Sequence, residues 1–551
     1  MTVYSEETLP IAVGLGIDSY NHPANIADGF CTSIHNFVAK KDRLITRKGF
    51  QPYIPIDTRT DYSESSDITH GLNCFYSKIP NSRQFNWPIA MWGTGSDTWM
   101  MRQFPRVDPA NISTSASVVK LVTTGSFKGA CTYLDRFYIN SESSGIDHVN
   151  VFDWDLGTAT LVNVIGPVFG NSVKGLFVFK DRMWCWNDTK IFYTDPPNAP
   201  GEFPEVWDPN GKFIVIGAGS GLGEIQSVIP VGTKLFVFTS SGLYNISVLG
   251  SPENWVVRLM DATIQVNHHN CAFEDKGLIY FVDTRGVWVT NQDQIKLISQ
   301  PIQDVFNTGT AEETYYLWKL FPFDDGILIC RQKTISHGTS PLATLSTLSE
   351  ARIFYSRLDF IAWTEFTFDT VSQPGDILGA FSNIESGFNW NKTNYLVLVH
   401  GNSSPTSVNP LTGQLLTYIG YQDKLRKLSA SEEAINVRSF YTSKVLRGQM
   451  LAEKRGKYAY INFSAAGNPG DDIDIDYQWD TEQEIARMAD SLSVYDIISA
   501  KEGLIKIKGP EFFRNLQFNL TATLSSAIQE YTILGSALVL HTDRKTPGVN
   551  R

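Results

Sequence analysis

Apolar residues in this chain come in runs of strand length, and each run is broken by a short polar turn. In the clearest case, 176–186, an apolar run ending at Phe179 meets Lys180, Asp181 and Arg182 and resumes at Met183. The same strand–turn–strand unit occurs at 131–139, 228–238 and 271–281, more weakly at 320–329, and in stretched form ending at 395–399. An earlier copy lies at 71–76 and 89–92. The residues that open the second strand of each unit, Phe137, Met183, Leu235, Leu278, Ile327 and Leu396, mostly follow one another at blade spacing, about 40 to 50 residues. A polar turn of two to four residues sets the register of each hairpin. A blade cannot bury both faces of its own sheet, so the blades must stack side by side in a closed ring. The expected fold is all-β: a propeller of six or seven blades over 60–408, closed by an N-terminal strand at 44–50. There are no regular Gly-His…Trp-Asp blades and no double-glycine kelch repeats; Asp153-Trp154 stands alone.

The pattern changes after about residue 409. Residues 409–436 are polar and tolerant of helix, and read as a linker. From 437 to 543 a small β-sandwich-like domain is expected, with strands at 458–463, 473–479, 504–508, 516–520 and 531–540. Strict alternation in the second and third of these predicts one wet face. Thr481 to Glu484 fits a capping box and predicts a short helix before Ser491. Residues 1–59 form an N-terminal arm that includes the closing strand, and 544–551 a frayed tail.

Composition narrows the function. The chain has 551 residues, 42% apolar and 19% charged, which suits a globular protein of two or three domains. Aromatics make up 12% and favour strands. The formal charge is −11 and no block of Lys or Arg occurs, which argues against a duplex-gripping protein. No run approaches the ~18 apolar residues of a membrane span. The first residues lack the basic and apolar regions of a signal peptide, so synthesis in the cytosol is expected. The six cysteines form no Cys-x-x-Cys pair and sit mostly in apolar strand text, so buried reduced thiols are expected.

Candidate chemistry is sparse. Gly217, Gly219, Gly221 and Gly223 lack phosphate-loop spacing and lead toward a strand, so they read as an inter-blade loop. Asp472, Asp474 and Asp476 share one strand face, with Asp471, Asp480, Glu482 and Glu484 nearby. Without the turn glycine of a calcium loop they read as a solvated acidic face. Adjacent residues on a strand point to opposite faces, so His268 and His269 would not easily share a metal; they read as ordinary loop or strand-edge residues. No Gly-x-Ser-x-Gly or His-Glu-x-x-His motif occurs. No catalytic, cofactor-binding or metal residues are therefore expected, and the chain is read as a non-enzyme without cofactors. Carboxylates from distant blades leave a propeller-type glycan-binding protein or glycoside hydrolase as the alternative.

Four stretches resemble the tail nozzle, or tail tubular, proteins of short-tailed bacteriophages. One holds Asn36, Asp42, Leu44, Arg47 and Gly49. The next runs from Lys190 through Tyr193, Asp195 and Pro196 to Phe203. The third is the strand pair 234–246. The fourth covers 277–289, with Asp283, Gly286 and Trp288, followed by 298–302. The resemblance implies a structural virion protein below the portal and adaptor. It would form a closed homo-oligomeric ring, a hexamer in that family, with tail fibres or spikes as further partners. Genome DNA would pass through the channel without specific binding, and an acidic wall would repel the duplex and keep it centred. The implied location is the virion tail, after synthesis in the host cytoplasm.

Overall fold

A computed structural model describes residues 14–40, 43–52, 173–199, 202–208, 210–216, 223–306, 314–335, 352–367 and 432–447, together with the strands named by their bounds below. Among the described residues, seven four-stranded antiparallel modules follow one another along the chain. Blade 1 runs from Asn73–Lys78 to Val118–Leu121, blade 2 from Ser126–Tyr133 to Thr158–Ile165, and blade 3 from Gly175–Phe179 to Phe213–Val215. Blade 4 runs from Ile225–Val231 to Val256–Asp261, blade 5 from Ala272–Asp275 to Ile295–Leu297, and blade 6 from Thr314–Phe323 to Thr364–Phe366. Blade 7 consists of Phe381–Trp390, Thr393–His400, Thr412–Gly420 and, returning from the N-terminus, Gly49–Pro52. The first strands of blades 1 to 3 touch in turn, as do those of blades 4 to 7, and blade 7 meets blade 1. Blades 3 and 4 are joined by a shared core of Trp184, Tyr193, Val228 and Leu235. The ring is closed: the chain is a β-propeller.

The tight turns account for the repeat. Lys180 and Asp181 have φ of 50° and 57° between the paired Phe179 and Arg182, and Lys276 and Gly277 have 51° and 82° between Asp275 and Leu278. Two residues of positive φ match the twist of the flanking strands, which is why such hairpins use them. Gly286, with φ 157°, closes another hairpin opposite Asp283. A Cβ there would lie 2.5 Å from Ser299 Oγ, so this position needs glycine for close approach. Both glycines thus sit at turns, as their settings after a charged residue predict.

Beyond the propeller lie two further sheets. One orders Phe37–Lys40, Arg43–Thr46, Ile528–Lys545, Lys454–Gly467 and Leu504–Lys508, with Tyr4–Ile11 also paired to Ile528–Lys545. The other continues blade 6 outward through Cys31–His35, Arg438–Ser443, Asn515–Thr523, Ile475–Thr481 and Ile485–Met488. Phe37, Ala39 and Leu44 of the first share a core with Ile34, Tyr441, Phe518 and Leu520 of the second, which makes the pair sandwich-like. The same core runs on into blades 4, 5 and 6 through Phe238, Phe281 and Trp318.

Several expectations change. The closing strand is Gly49–Pro52, while Arg43–Thr46 pairs with Phe37–Lys40 and Ile528–Lys545, because the chain leaves one sheet for the other at the buried Arg47. The residues read as a linker contain strands: Thr412–Gly420 is the third strand of blade 7, and Gln422–Arg426 pairs with Glu432–Asn436. Alternation hides the first of these, since buried Tyr418 packs against Phe50 and Phe323. Ile485–Met488 is a strand, not a helix; its hairpin with Ile475–Thr481 outweighs the capping signal. Arg544 and Lys545, placed in the tail, pair with Ser5 and Tyr4. The N-terminal residues are thus no loose arm but lend strands to both outer sheets and to blade 7.

Candidate functional site: the junction of arm, propeller and outer sheets

The arm crosses from one outer sheet to the other at Asn36, whose φ of 58° lies in the left-handed region. Asparagine tolerates that region because its short amide bonds locally. Here the bonds reach the outer strand of blade 6 and the outer-sheet strand Arg438–Ser443. The Asn36 N–H donates to Glu365 O at 2.8 Å, and the Thr367 N–H donates to Asn36 Oδ1 at 2.9 Å. Asn36 Nδ2 donates to Thr367 Oγ1 at 2.9 Å, and Ser439 Oγ donates to Asn36 O at 3.1 Å.

Arg47 completes this node. It is 1% exposed, and a buried guanidinium persists only where acceptors surround it. Nε donates to Asn36 Oδ1 at 2.7 Å, Nη1 to Lys48 O at 2.9 Å and Nη2 to Thr367 O at 2.9 Å. Its guanidinium carbon lies 5.3 Å from the centroid of Phe50, in blade 7, and 5.7 Å from that of Phe366, in blade 6. One side chain therefore ties the arm to two blades.

Beside it, Cys31–His35 joins the outer strand of blade 6 in parallel through His35 and Glu365. Arg352 grips Glu365 with two bonds, Nε to Oε1 at 2.7 Å and Nη2 to Oε2 at 2.8 Å. Burial opposes the Arg352 charge, but the bonds to Glu365 outweigh it and hold the group above its ordinary range. His35 Nδ1 stands 3.7 Å from the same carboxylate. Two residues before Glu365, Trp363 accepts the Ile17 N–H on its carbonyl at 2.8 Å and donates Nε1 to Ile298 O at 2.9 Å. Gly16 packs on the Trp363 backbone so closely that a Cβ would lie 2.7 Å from it.

Ile298 leads into blade 5, where its N–H donates to Val287 O at 2.8 Å. The buried carboxylate of Asp283 organises the adjoining turn. Oδ1 accepts from the N–H groups of Arg285 and Gly286 and from Trp288 Nε1; Oδ2 accepts from Arg285 Nε and Nη2. Ser299 Oγ accepts the Val287 N–H, and Gln303 Nε2 donates to Arg285 O. The arm returns here, with the Ser19 and Tyr20 N–H groups on Pro301 O. Stretches 277–289 and 298–302 thus bond to each other, and the blade 6 strand Thr364–Phe366 with the adjoining Trp363 links them to Asn36 and Arg47. Sequence spacing could not show that Asn36 and Arg47 touch; the left-handed Asn between two strand runs was the available signal.

The other sequence candidates lie apart from this junction. Gly217–Gly221 fall outside the described residues; Gly223, just before blade 4, donates its N–H to Ser241 Oγ. Of the acidic cluster, Asp471, Asp472, Asp474, Glu482 and Glu484 fall outside the described residues, while Asp476 and Asp480 pair through their backbones with Thr521 and Gln517. His268 and His269 are not on a strand, and their ring centroids are 4.1 Å apart, so the opposite-face argument does not hold. Among the described residues, no cluster of three or more His, Cys, Asp or Glu could hold a metal, and no helix is long and apolar enough to cross a membrane. Cys31, Cys185, Cys271 and Cys330 are buried thiols and Cys131 is a half-buried one, with no disulfide at any of these five.

No family model and no curated protein matches the chain. Among solved structures it is similar to PorZ, described as an essential bacterial surface component of the type-IX secretion system of Porphyromonas gingivalis, with TM-score 0.34 and 11% identity over 74% of this chain. The match spans 44% of the PorZ chain. YCF48 bound to a D1 peptide matches with TM-score 0.35 and 10% identity, over 63% of this chain and 94% of that one. The Dos1 propeller matches with TM-score 0.30 and 11% identity, over 47% of this chain and 66% of that one.

Proposed function

We propose that this chain is a non-enzymatic structural protein of the tail nozzle of a short-tailed bacteriophage. One observation carries the reading. Two of the four stretches that resemble nozzle proteins, 36–50 and 277–289 with 298–302, contribute the bonds that tie the arm to blades 5 to 7 and the outer sheets. Asn36, Arg47, Asp283, Arg285 and Ser299 of those stretches spend their side chains on contacts within the chain. Buried hydrogen-bonded networks of this kind specify a single packing, which suits a wall that must keep its shape while a genome passes.

In the assembly, copies would meet through unlike surfaces of neighbours to close a ring. The count of six rests on the resemblance. A net charge of −11 favours a lumen that repels duplex rather than holding it. Portal and adaptor proteins would lie above, with fibres or spikes at the side.

The test is a reconstruction of the virion that encodes this chain. The expected result is a ring of this protein in the tail, its lumen free of a strongly basic surface. Absence from the tail, or a strongly basic lumen, would refute the proposal. So would reproducible glycan or phosphoester turnover lost on changing a single carboxylate.

A further inference from the structure

Residues 262–270 carry the chain from the outer strand of blade 4 to the first strand of blade 5. On the way this crossover buries Ile264 and Val266. At its far end it docks on the first strand of blade 6, Thr314–Phe323. The Leu320 N–H donates to Asn270 O at 2.7 Å, and the Trp318 N–H donates to Asn267 Oδ1 at 3.2 Å. Asn270 is in turn held by His268: its N–H donates to His268 Nδ1 at 3.0 Å.

That bond sets the chemistry. An imidazole nitrogen accepts a hydrogen bond only when it carries no proton, so Nδ1 is bare and any ring proton sits on Nε2. A second proton can enter only at Nδ1, where it would face the Asn270 N–H, donor against donor. The groups that act on His268 are His269, whose ring centroid lies 4.1 Å away with the planes tilted, and Lys319 on the blade 6 strand. Neither offers a negative charge to accommodate the new positive one.

We propose that the 262–270 crossover is an acid-sensitive latch: protonation of His268 breaks its bond to the Asn270 N–H and weakens the docking of the crossover on blade 6. Burial pushes the His268 imidazole well below its ordinary value, and His269 and Lys319 push the same way. The sign follows. Where the docked group has the lower pKa, the released state takes up the proton first, so docking weakens as pH falls through about 6.5, the value of a free imidazole, toward the docked value. Within that window each pH unit shifts the balance by up to about tenfold. At pH 7.5 both states are neutral and the latch is closed.

The experiment is hydrogen exchange at the Leu320 amide of the full chain at pH 7.5 and 5.5, corrected for the intrinsic pH dependence of exchange. Protection is expected to fall by roughly tenfold in the parent. In His268→Asn, which keeps an acceptor but cannot titrate, it should change less than about twofold. An equal loss in both proteins, or none in the parent, overturns the latch. Should the variant not fold, the parent decides: the NMR titration of its selectively labelled His268 ring must show Nε2–H at pH 7.5 and protonation below the ordinary range. A ring that titrates at or above that range overturns the proposal.

Discussion

Replacing Arg47 with methionine tests whether one buried side chain holds the arm. Methionine matches the aliphatic stem, so the change removes the charge, its bonds and its place over Phe50 and Phe366 with little loss of volume. Among the described residues, three bonds are lost, to Asn36 Oδ1, Lys48 O and Thr367 O. Bonds to a charged donor contribute about 1.5 to 3 kcal/mol each. Their sum overstates the loss, because removing a buried charge also recovers several kcal/mol of desolvation. Asn36 Oδ1 keeps the Thr367 N–H, so the two backbone carbonyls bear most of the cost. A net loss of about 2 to 4 kcal/mol is expected. Global unfolding is a poor readout in a chain of this size, where two-state behaviour is not assured. Native-state hydrogen exchange at the Asn36 and Arg47 amides reads the junction itself, since these donate to Glu365 O and Asn36 O. Their exchange should speed up roughly 30- to 700-fold, while amides in blade 3, such as Cys185, stay unchanged. Arg47→Lys should fare no better, because an ammonium cannot supply the planar fork. Exchange within about threefold of the parent in Arg47→Met would show that the guanidinium does not hold the arm, and the argument from this node would fall.

Gly286→Ala should cost about 1 to 3 kcal/mol, since the new methyl meets Ser299 Oγ at 2.5 Å and Leu297 Cδ1 at 2.7 Å. Gly277→Ala, with open space but φ of 82°, should cost only about 1 kcal/mol; urea titrations giving the reverse order would contradict the assigned geometry. Asp283→Ala strands the Gly286 and Arg285 amides and Trp288 Nε1, so a loss of about 2 to 4 kcal/mol and a changed Trp288 emission are expected; an unperturbed thermal midpoint would count against this network. Burial pushes the Cys271 thiol up to about 12 and raises Cys31 as well, so neither presents thiolate at pH 8. Thiol-reactive dye should label both within seconds in denaturant and only over hours in the native protein; rapid native labelling mapped to either residue would refute their burial.

Local chemistry made the blades readable. Phe137, Met183, Leu235, Leu278, Ile327 and Leu396 all fall in the second strands of their blades, because a hairpin is written in adjacent residues: alternation for the strands and a polar turn between them. The ring followed from the same pattern, since stacked sheets need neighbours on both faces. The short helix expected before Ser491 failed for the converse reason: a capping signal is weak, and pairing with a neighbouring strand outweighed it. What the sequence could not contain was the pairing of elements far apart. Asn36 and Thr367 are 331 residues apart, and nothing in either stretch names the other. Arg47 reads as a surface charge until the tertiary structure surrounds it with acceptors, and the linker reads as polar until Tyr418 meets Phe50. Strands and turns are decided by short-range sterics and hydrophobic period, so the sequence alone determined them. The junction depends on which surfaces meet once the ring has closed and the arm has folded back, and only the tertiary structure decided that.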